Sequence, residues 1–152
     1  MLRIPRSPGV YVLVIRVKSS AEVIVGSLGR INLRRGYYAY VGSAMGPGGL
    51  FSRIKRHLSS VKRVKWHIDY VLKKGLVVCV VYAECFIKKE CELASLIAEE
   101  YSIVARKLGS TDCRCKSHFF FLGEDFESVK VFLNFLKKTE FRLGVSFSVV
   151  WC

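Results

Sequence analysis

The sequence predicts an α+β domain, a small and largely antiparallel sheet flanked by helices. Three observations point there. Val-, Ile- and aromatic-rich runs of strand length recur along the chain. Amphipathic stretches of helical period stand between and after them. The 152 residues are 51% hydrophobic and carry no internal repeat, linker or low-complexity tract, so they suffice for one core.

The elements follow in order. Gly9–Val17 (GVYVLVIRV) reads as a strand, and Glu22–Gly26 as a second strand inside a hairpin at Ala21–Arg35. Tyr37–Gly42 (YYAYVG) reads as another strand. Its alternation puts Tyr38 and Tyr40 on one face and Tyr37, Ala39 and Val41 on the other. Ser43–Gly49 is the densest Gly/Pro stretch and reads as a loop. A helix is expected over Leu50–Leu58, where Leu50, Ile54 and Leu58 form one apolar stripe. Trp66–Lys74 reads as a short helix stopped by Gly75. The eight apolar residues Leu76–Ala83 suit a buried strand. Glu90–Leu108 is expected to be one long helix, with Leu93, Leu96, Ile97, Ile103 and Val104 as its apolar positions and Gly109 past its end. A polar loop at Ser110–Cys115, a strand at Ser117–Leu122, a helix at Glu127–Lys138 and a strand at Val145–Trp151 complete the chain.

Charge narrows the function. Lys and Arg number 25 against 12 Asp and Glu, a net charge of +13. A compact 17.3 kDa surface with that excess attracts polyanions, nucleic acid first among them. Mean hydropathy is +0.29, yet no apolar run approaches the roughly 18–20 residues of a membrane helix. The opening residues lack the apolar stretch of a signal peptide, and the expected setting is the cytoplasm. The chain has no Gln and only two Asn, Asn32 and Asn134. Depleted amides with abundant Lys and Arg suggest a thermophilic source.

Six ordered segments carry a family resemblance. Gly9-Val10-Tyr11 opens the first strand, and Tyr40-Val41-Gly42 stands in a later one. Leu50–His57 (LFSRIKRH) follows the glycine-rich loop. Trp66–Tyr70 (WHIDY), Glu90–Ala94 (ECELA) and Asp112–His118 (DCRCKSH) come after. Together they resemble the GIY-YIG nuclease superfamily, and more closely its Uri-type branch. The resemblance covers about residues 8–122. Residues 123–152 would be a helix–strand extension of the same single domain, 1–152.

The resemblance implies a metal-dependent endonuclease that hydrolyses phosphodiester bonds, with DNA expected over RNA. The alternative is a nucleic-acid-binding module that keeps the fold without turnover. The implied catalytic residues are Tyr11, Tyr40, Arg53, His57 and Glu90. Tyr11 and Tyr40 would line the site from neighbouring strands. Arg53 would contact the scissile phosphate, for which its planar fork is suited. His57, at i+4, shares a helix face with Arg53. The family's single metal-binding glutamate fits Glu90 by phase with Leu93 and Ala94. Glu92 is the alternative, and the two lie about 200° apart around a helix, so both cannot face one site. A hard oxygen ligand suits Mg²⁺ or Mn²⁺. The general base is open among Tyr11, His57 and a second water. The glycine-rich loop and the helix N-terminus behind it are expected to approach a phosphate.

Basic residues near these motifs are candidate nucleic-acid contacts: Lys55, Arg56, Lys62, Arg63 and Lys65 after the helix, His67 in WHIDY, and Arg34 and Arg35 (with Arg30) on the hairpin. Asp69 is a hydrogen-bonding residue of the small helix or a site residue. Asp112 and His118 are expected to line the substrate channel. Cys113-x-Cys115-x-x-His118 is tighter than usual zinc spacing, and no second cysteine pair follows it. Zinc or a disulfide are the alternatives there. Cys79 and Cys91 read as buried apolar residues.

Overall fold

A computed structural model of the chain describes residues 3–152. The strands are β1 (Gly9–Val17), β2 (Ala21–Ile24), β3 (Arg30–Leu33), β4 (Gly36–Ala44), β5 (Leu76–Glu84), β6 (Ser102–Ile103), β7 (Phe119–Gly123) and β8 (Ser148–Trp151). The helices are α1 (Gly49–Leu58), α2 (His67–Val71), α3 (Glu90–Glu100) and α4 (Phe126–Leu143). Six strands form one antiparallel sheet in the order β6-β7-β4-β1-β5-β8, and β2 and β3 make a separate hairpin. The fold is α+β, as the sequence predicts.

Helices and hairpin cover the sheet on both faces. One face carries Tyr11, Leu13, Ile15, Tyr38, Tyr40 and Phe119. These pack against Leu50 and Ile54 of α1, Ile68 and Val71 of α2, and Val23, Ile31 and Leu33 of the hairpin. The other carries Val10, Val12, Val14, Ala39, Val41 and Phe120, packed against Leu93 and Ile97 of α3 and Val129, Phe132 and Leu136 of α4. Strand β1 lies between β4 and β5 and is buried on both sides, which is why it reads as an unbroken apolar run rather than an alternating one. The split of Tyr38 and Tyr40 from Tyr37, Ala39 and Val41 is the one expected from β4's period of two.

The expected helix over Glu90–Leu108 is cut short. Helix α3 ends at Glu100, and Ser102 and Ile103 pair with Phe121 and Phe120 as the edge strand β6. Tyr101, Ile103 and Val104 favour extended backbone, and the free edge of β7 offers them hydrogen bonds that a longer helix would forgo. The chain then turns so that Leu108 is fully buried beside Tyr40 and Phe119 in the core of the first face. Helix α4 runs from Phe126 to Leu143, longer than expected at both ends. Asp125 caps its start, accepting from the Ser128 amide at 3.3 Å, and Gly144 ends it in the left-handed conformation.

Two glycines position the site. Gly42 of β4 faces Tyr11 of β1, and a Cβ there would stand 2.3 Å from the Tyr11 ring. Gly42 therefore lets the phenol lie flat across its neighbouring strand. Gly49 has φ +53, and a Cβ on it would meet the Arg6 carbonyl at 2.2 Å. That close approach seats the N-terminal segment on α1.

Candidate active site

Elements from both faces of the sheet converge on one open cavity of about 410 Å³. Its lining includes Tyr11 from β1, Tyr40 and Ser43 from β4, Arg53 from α1, Trp66 and His67 at α2, and Glu90 from α3. Gly109 and Asp112, from the loop after β6, close the wall opposite. Four of the five expected catalytic residues thus share one cavity. The fifth, His57, sits behind it, only 3% exposed.

Tyr11 and His57 form the inner layer. The Tyr11 hydroxyl and His57 Nε2 are 2.7 Å apart, a buried hydrogen bond. The His57 ring also lies between those of Tyr40 and Trp66, with centroids 6.1 and 5.8 Å away. Burial pushes the imidazole down to about 3; Asp69 opposes this and Arg53 adds to it. His57 is neutral at physiological pH. Its Nδ1 is buried with no hydrogen-bond partner. Burial also raises the Tyr11 and Tyr40 phenols, so both stay protonated at physiological pH. Arg53 works against the shift at each.

Arg53 is held from two sides. Its Nη1 donates to the Ser43 carbonyl at 2.9 Å, and its guanidinium lies 4.5 Å from the Trp66 ring centroid. Arg56 and Lys65 also reach Trp66, at 4.1 and 4.9 Å, so one indole organises three cations. Across the cavity, burial raises the Glu90 carboxyl, opposed by Lys88, whose Nζ is 3.9 Å away. A half-buried carboxylate on an open polar cavity fits a hard divalent cation that keeps waters as its remaining ligands. Glu92 does not reach the cavity. It is mostly exposed and pairs with Lys89 at 3.5 Å on another face of α3, the outcome of the two-residue offset in phase.

Other expected residues have different places. Asp69 is buried and accepts from Arg56 Nη1 and Nη2 at 3.2 and 2.9 Å and from the Lys65 and Trp66 amides at 2.9 Å. Burial raises its carboxyl, but those hydrogen bonds outweigh it and hold the carboxyl below the usual range. Asp69 and Arg56 therefore fix α2 to α1 rather than facing the cavity. Lys62 is also turned inward, its Nζ donating to the His57 and Ser59 carbonyls at 2.7 and 2.9 Å and capping α1. Lys55 and Arg63 are exposed, and Lys65 lines the cavity. His67 lines it too, its Nδ1 accepting from the Gly109 amide at 3.2 Å. Arg34 stacks on Phe121 at 3.8 Å, Arg35 is exposed beside Glu124 and Asp125, and Arg30 pairs with Glu22. None of these three hairpin arginines lines the cavity.

Two expectations are overturned. The start of α1 is not open to a phosphate. The amides of Gly49, Leu50, Phe51 and Ser52 donate to the carbonyls of Gly46, Ser7, Pro5 and Gly48. The glycines admit the N-terminal segment instead; it takes up the Leu50 and Phe51 amides, and the loop's own carbonyls take up those of Gly49 and Ser52. His118 does not line the channel either. It is buried, and its Nε2 lies 3.6 Å from Cys113 Sγ, on the far side of the loop from Asp112. Sequence reasoning misses Lys88 and the stacking role of Trp66, because neither leaves a periodic signal. It also misses Cys91, which is half-buried and grouped with Cys113, Cys115 and His118 rather than packed as an apolar residue.

Residues 10–141, most of the chain, match the family described as Domain of unknown function DUF123. The chain belongs to the DUF123 family. No curated protein and no solved structure matches it. Within this DUF123 chain the matched segment spans the whole cavity, from Tyr11 to Asp112. It also includes most of α4, so the C-terminal helix is part of the family domain rather than an appendage. Among the described residues, no helix is long and apolar enough to cross a membrane.

Proposed function

We propose that this DUF123 chain is a metal-dependent endonuclease of the GIY-YIG type, Uri-like, that hydrolyses phosphodiester bonds in DNA in the cytoplasm. The observation that carries the reading is the convergence of Tyr11, Tyr40, Arg53 and Glu90 on one cavity, with His57 bonded behind Tyr11. The net charge of +13 supports a polyanionic substrate.

The residues divide the work. Arg53, stretched between the Ser43 carbonyl and Trp66, presents its guanidinium to the phosphate and offsets charge developing there. Tyr11 orients the attacking water and accepts its proton while donating its own to His57 Nε2. At rest His57 refuses that proton, because it is buried beside Arg53. A phosphodiester bound to Arg53 offsets the guanidinium's repulsion and, together with Asp69, works toward the imidazolium against the larger effect of burial. Tyr40 and Trp66 wall the cavity and limit water. Glu90 would hold Mg²⁺ or Mn²⁺, which supplies Lewis-acid stabilisation of the leaving oxygen when bound.

The test is cleavage of plasmid, single-stranded and branched DNA with Mg²⁺ or Mn²⁺, with binding measured on the same samples. Arg53→Ala and Glu90→Gln are each expected to slow cleavage by about 10²-fold or more while binding largely survives. Glu92→Gln should cut like wild type. Salt-sensitive binding without cleavage, or cleavage indifferent to Arg53 and Glu90, would replace the nuclease by a binding module.

A further inference from the structure

We infer that Cys91, Cys113, Cys115 and His118 form a structural zinc site that ties the start of α3 to the loop before β7. The four ligand atoms, three sulfurs and one imidazole nitrogen, all lie within 4.8 Å of one another. They come from separate parts of the chain: Cys91 from the first turn of α3, Cys113 and Cys115 from the loop, and His118 from the residue before β7. Three thiols and an imidazole are a complete tetrahedral set for a soft to borderline cation, with no open position for substrate.

The distances agree with that geometry. Zn–S bonds of about 2.3 Å and a Zn–N bond of about 2.0–2.1 Å at tetrahedral angles put sulfur and nitrogen about 3.6 Å apart. Cys113 Sγ and His118 Nε2 are 3.6 Å apart. Neighbouring sulfurs in such a site are about 3.8 Å apart by the same arithmetic, so the longest edge of the cluster needs only a small side-chain rotation to close. All six cysteines are free, and no disulfide competes for these sulfurs.

The surroundings suit the charge. Three thiolates and one Zn²⁺ sum to −1. Lys107 Nζ donates to the Cys113 and Cys115 carbonyls at 2.9 and 3.1 Å, which sets an ammonium beside the cluster and fixes the Cys-x-Cys backbone. Lys107 is also the one non-glycine residue with positive φ among the described residues, at 65°, and its amide donates to Lys116 at 2.6 Å. The loop is thus folded around its cysteines.

The site has a structural consequence for the cavity. Glu90 precedes Cys91, and Asp112 precedes Cys113; both acids line the cavity wall. Zinc would lock that wall by joining the two segments that carry it.

Metal analysis of the full chain, purified with reductant and without added metal, tests the site. One zinc per chain is expected, retained through dialysis, with six titratable thiols released on unfolding with a chelator. Exchange for Co²⁺ should give visible bands of tetrahedral coordination and strong thiolate charge transfer. Cys91→Ser and Cys113→Ser should weaken metal affinity at least about tenfold. Cys85→Ser and Cys152→Ser should leave content and spectrum unchanged. Folded, reduced wild type that contains no zinc and gives no thiolate bands on Co²⁺ titration overturns the site, as does a disulfide between any two of the four. Those readouts come from the wild-type chain, so a variant that fails to fold does not blunt them. Zinc content is read apart from cleavage, and a chain that holds zinc and cuts nothing leaves this site standing.

Discussion

Acidification should destabilise the chain through His57 by about 2 kcal/mol between about pH 7.5 and pH 5. Burial holds the folded imidazole at about 3, against an ordinary 6.5. In the unfolded chain it titrates near 6.5. Between those values the unfolded state binds a proton that the folded state refuses. Stability is therefore highest above 6.5, falls as pH falls, and stops falling from this cause only near 3. At pH 5 the medium is about 1.5 units below the unfolded value, and at 1.36 kcal/mol per unit the loss is about 2 kcal/mol. The figure holds for any folded value well below 5. For a domain of this size it corresponds to a midpoint shift of about 4–8 °C. The assay is thermal or urea unfolding of wild type and His57→Gln at both pH values. Glutamine keeps a polar partner for Tyr11 but cannot titrate. Other groups also respond to acid, Glu90 and His118 among them, so the measured quantity is the difference between the two proteins' pH responses. Wild type should lose about 2 kcal/mol more than the variant. An equal loss in both would refute the neutral buried His57, and with it the proton route from Tyr11.

Two further outcomes separate the structural cations from those free to meet a phosphate. Asp69→Asn should destabilise the chain by about 3–5 kcal/mol in urea unfolding, because it leaves Arg56 without its partner and weakens four hydrogen bonds at the α1–α2 junction. Arg63→Ala should reduce the slope of log affinity against log salt on duplex DNA by about 0.9 with little change in stability, whereas Arg56→Ala should lower stability and leave the slope alone, as read by binding titrations at several salt concentrations beside melting curves.

Period and turn chemistry made most of the fold legible. The unbroken run in β1, the alternation in β4 and the stripe of α1 each have one arrangement that buries their apolar atoms. The stretch after Glu100 does not. Ile103 and Val104 continue a spacing that also fits a helix, and only pairing with Phe120 and Phe121 decides for strand. That partner lies 17 residues or more along the chain, beyond any local pattern. The same blindness affects charge. A run such as Arg53–Lys65 looks like one basic face, but Asp69 claims Arg56 and the end of α1 claims Lys62. Composition counts cations without knowing which already have partners.

The cysteines mark the limit most clearly. Within Asp112–His118 the Cys-x-Cys pair and the histidine are visible but incomplete, since three ligands so closely spaced leave a tetrahedral ion one short. The fourth, Cys91, stands 22 positions before Cys113 on a helix, where an isolated cysteine at an apolar phase looks like core. It becomes a ligand candidate only because α3 packs on the sheet with its first turn against the loop. Glu90 is on that same first turn, about 100° round from Cys91, and lines the cavity. One turn of helix thus carries a hard oxygen donor to the cavity and a soft sulfur donor to the loop. The two metals proposed for these donors differ in ligand preference for that reason, and the thiol site can be filled and measured independently of the carboxylate.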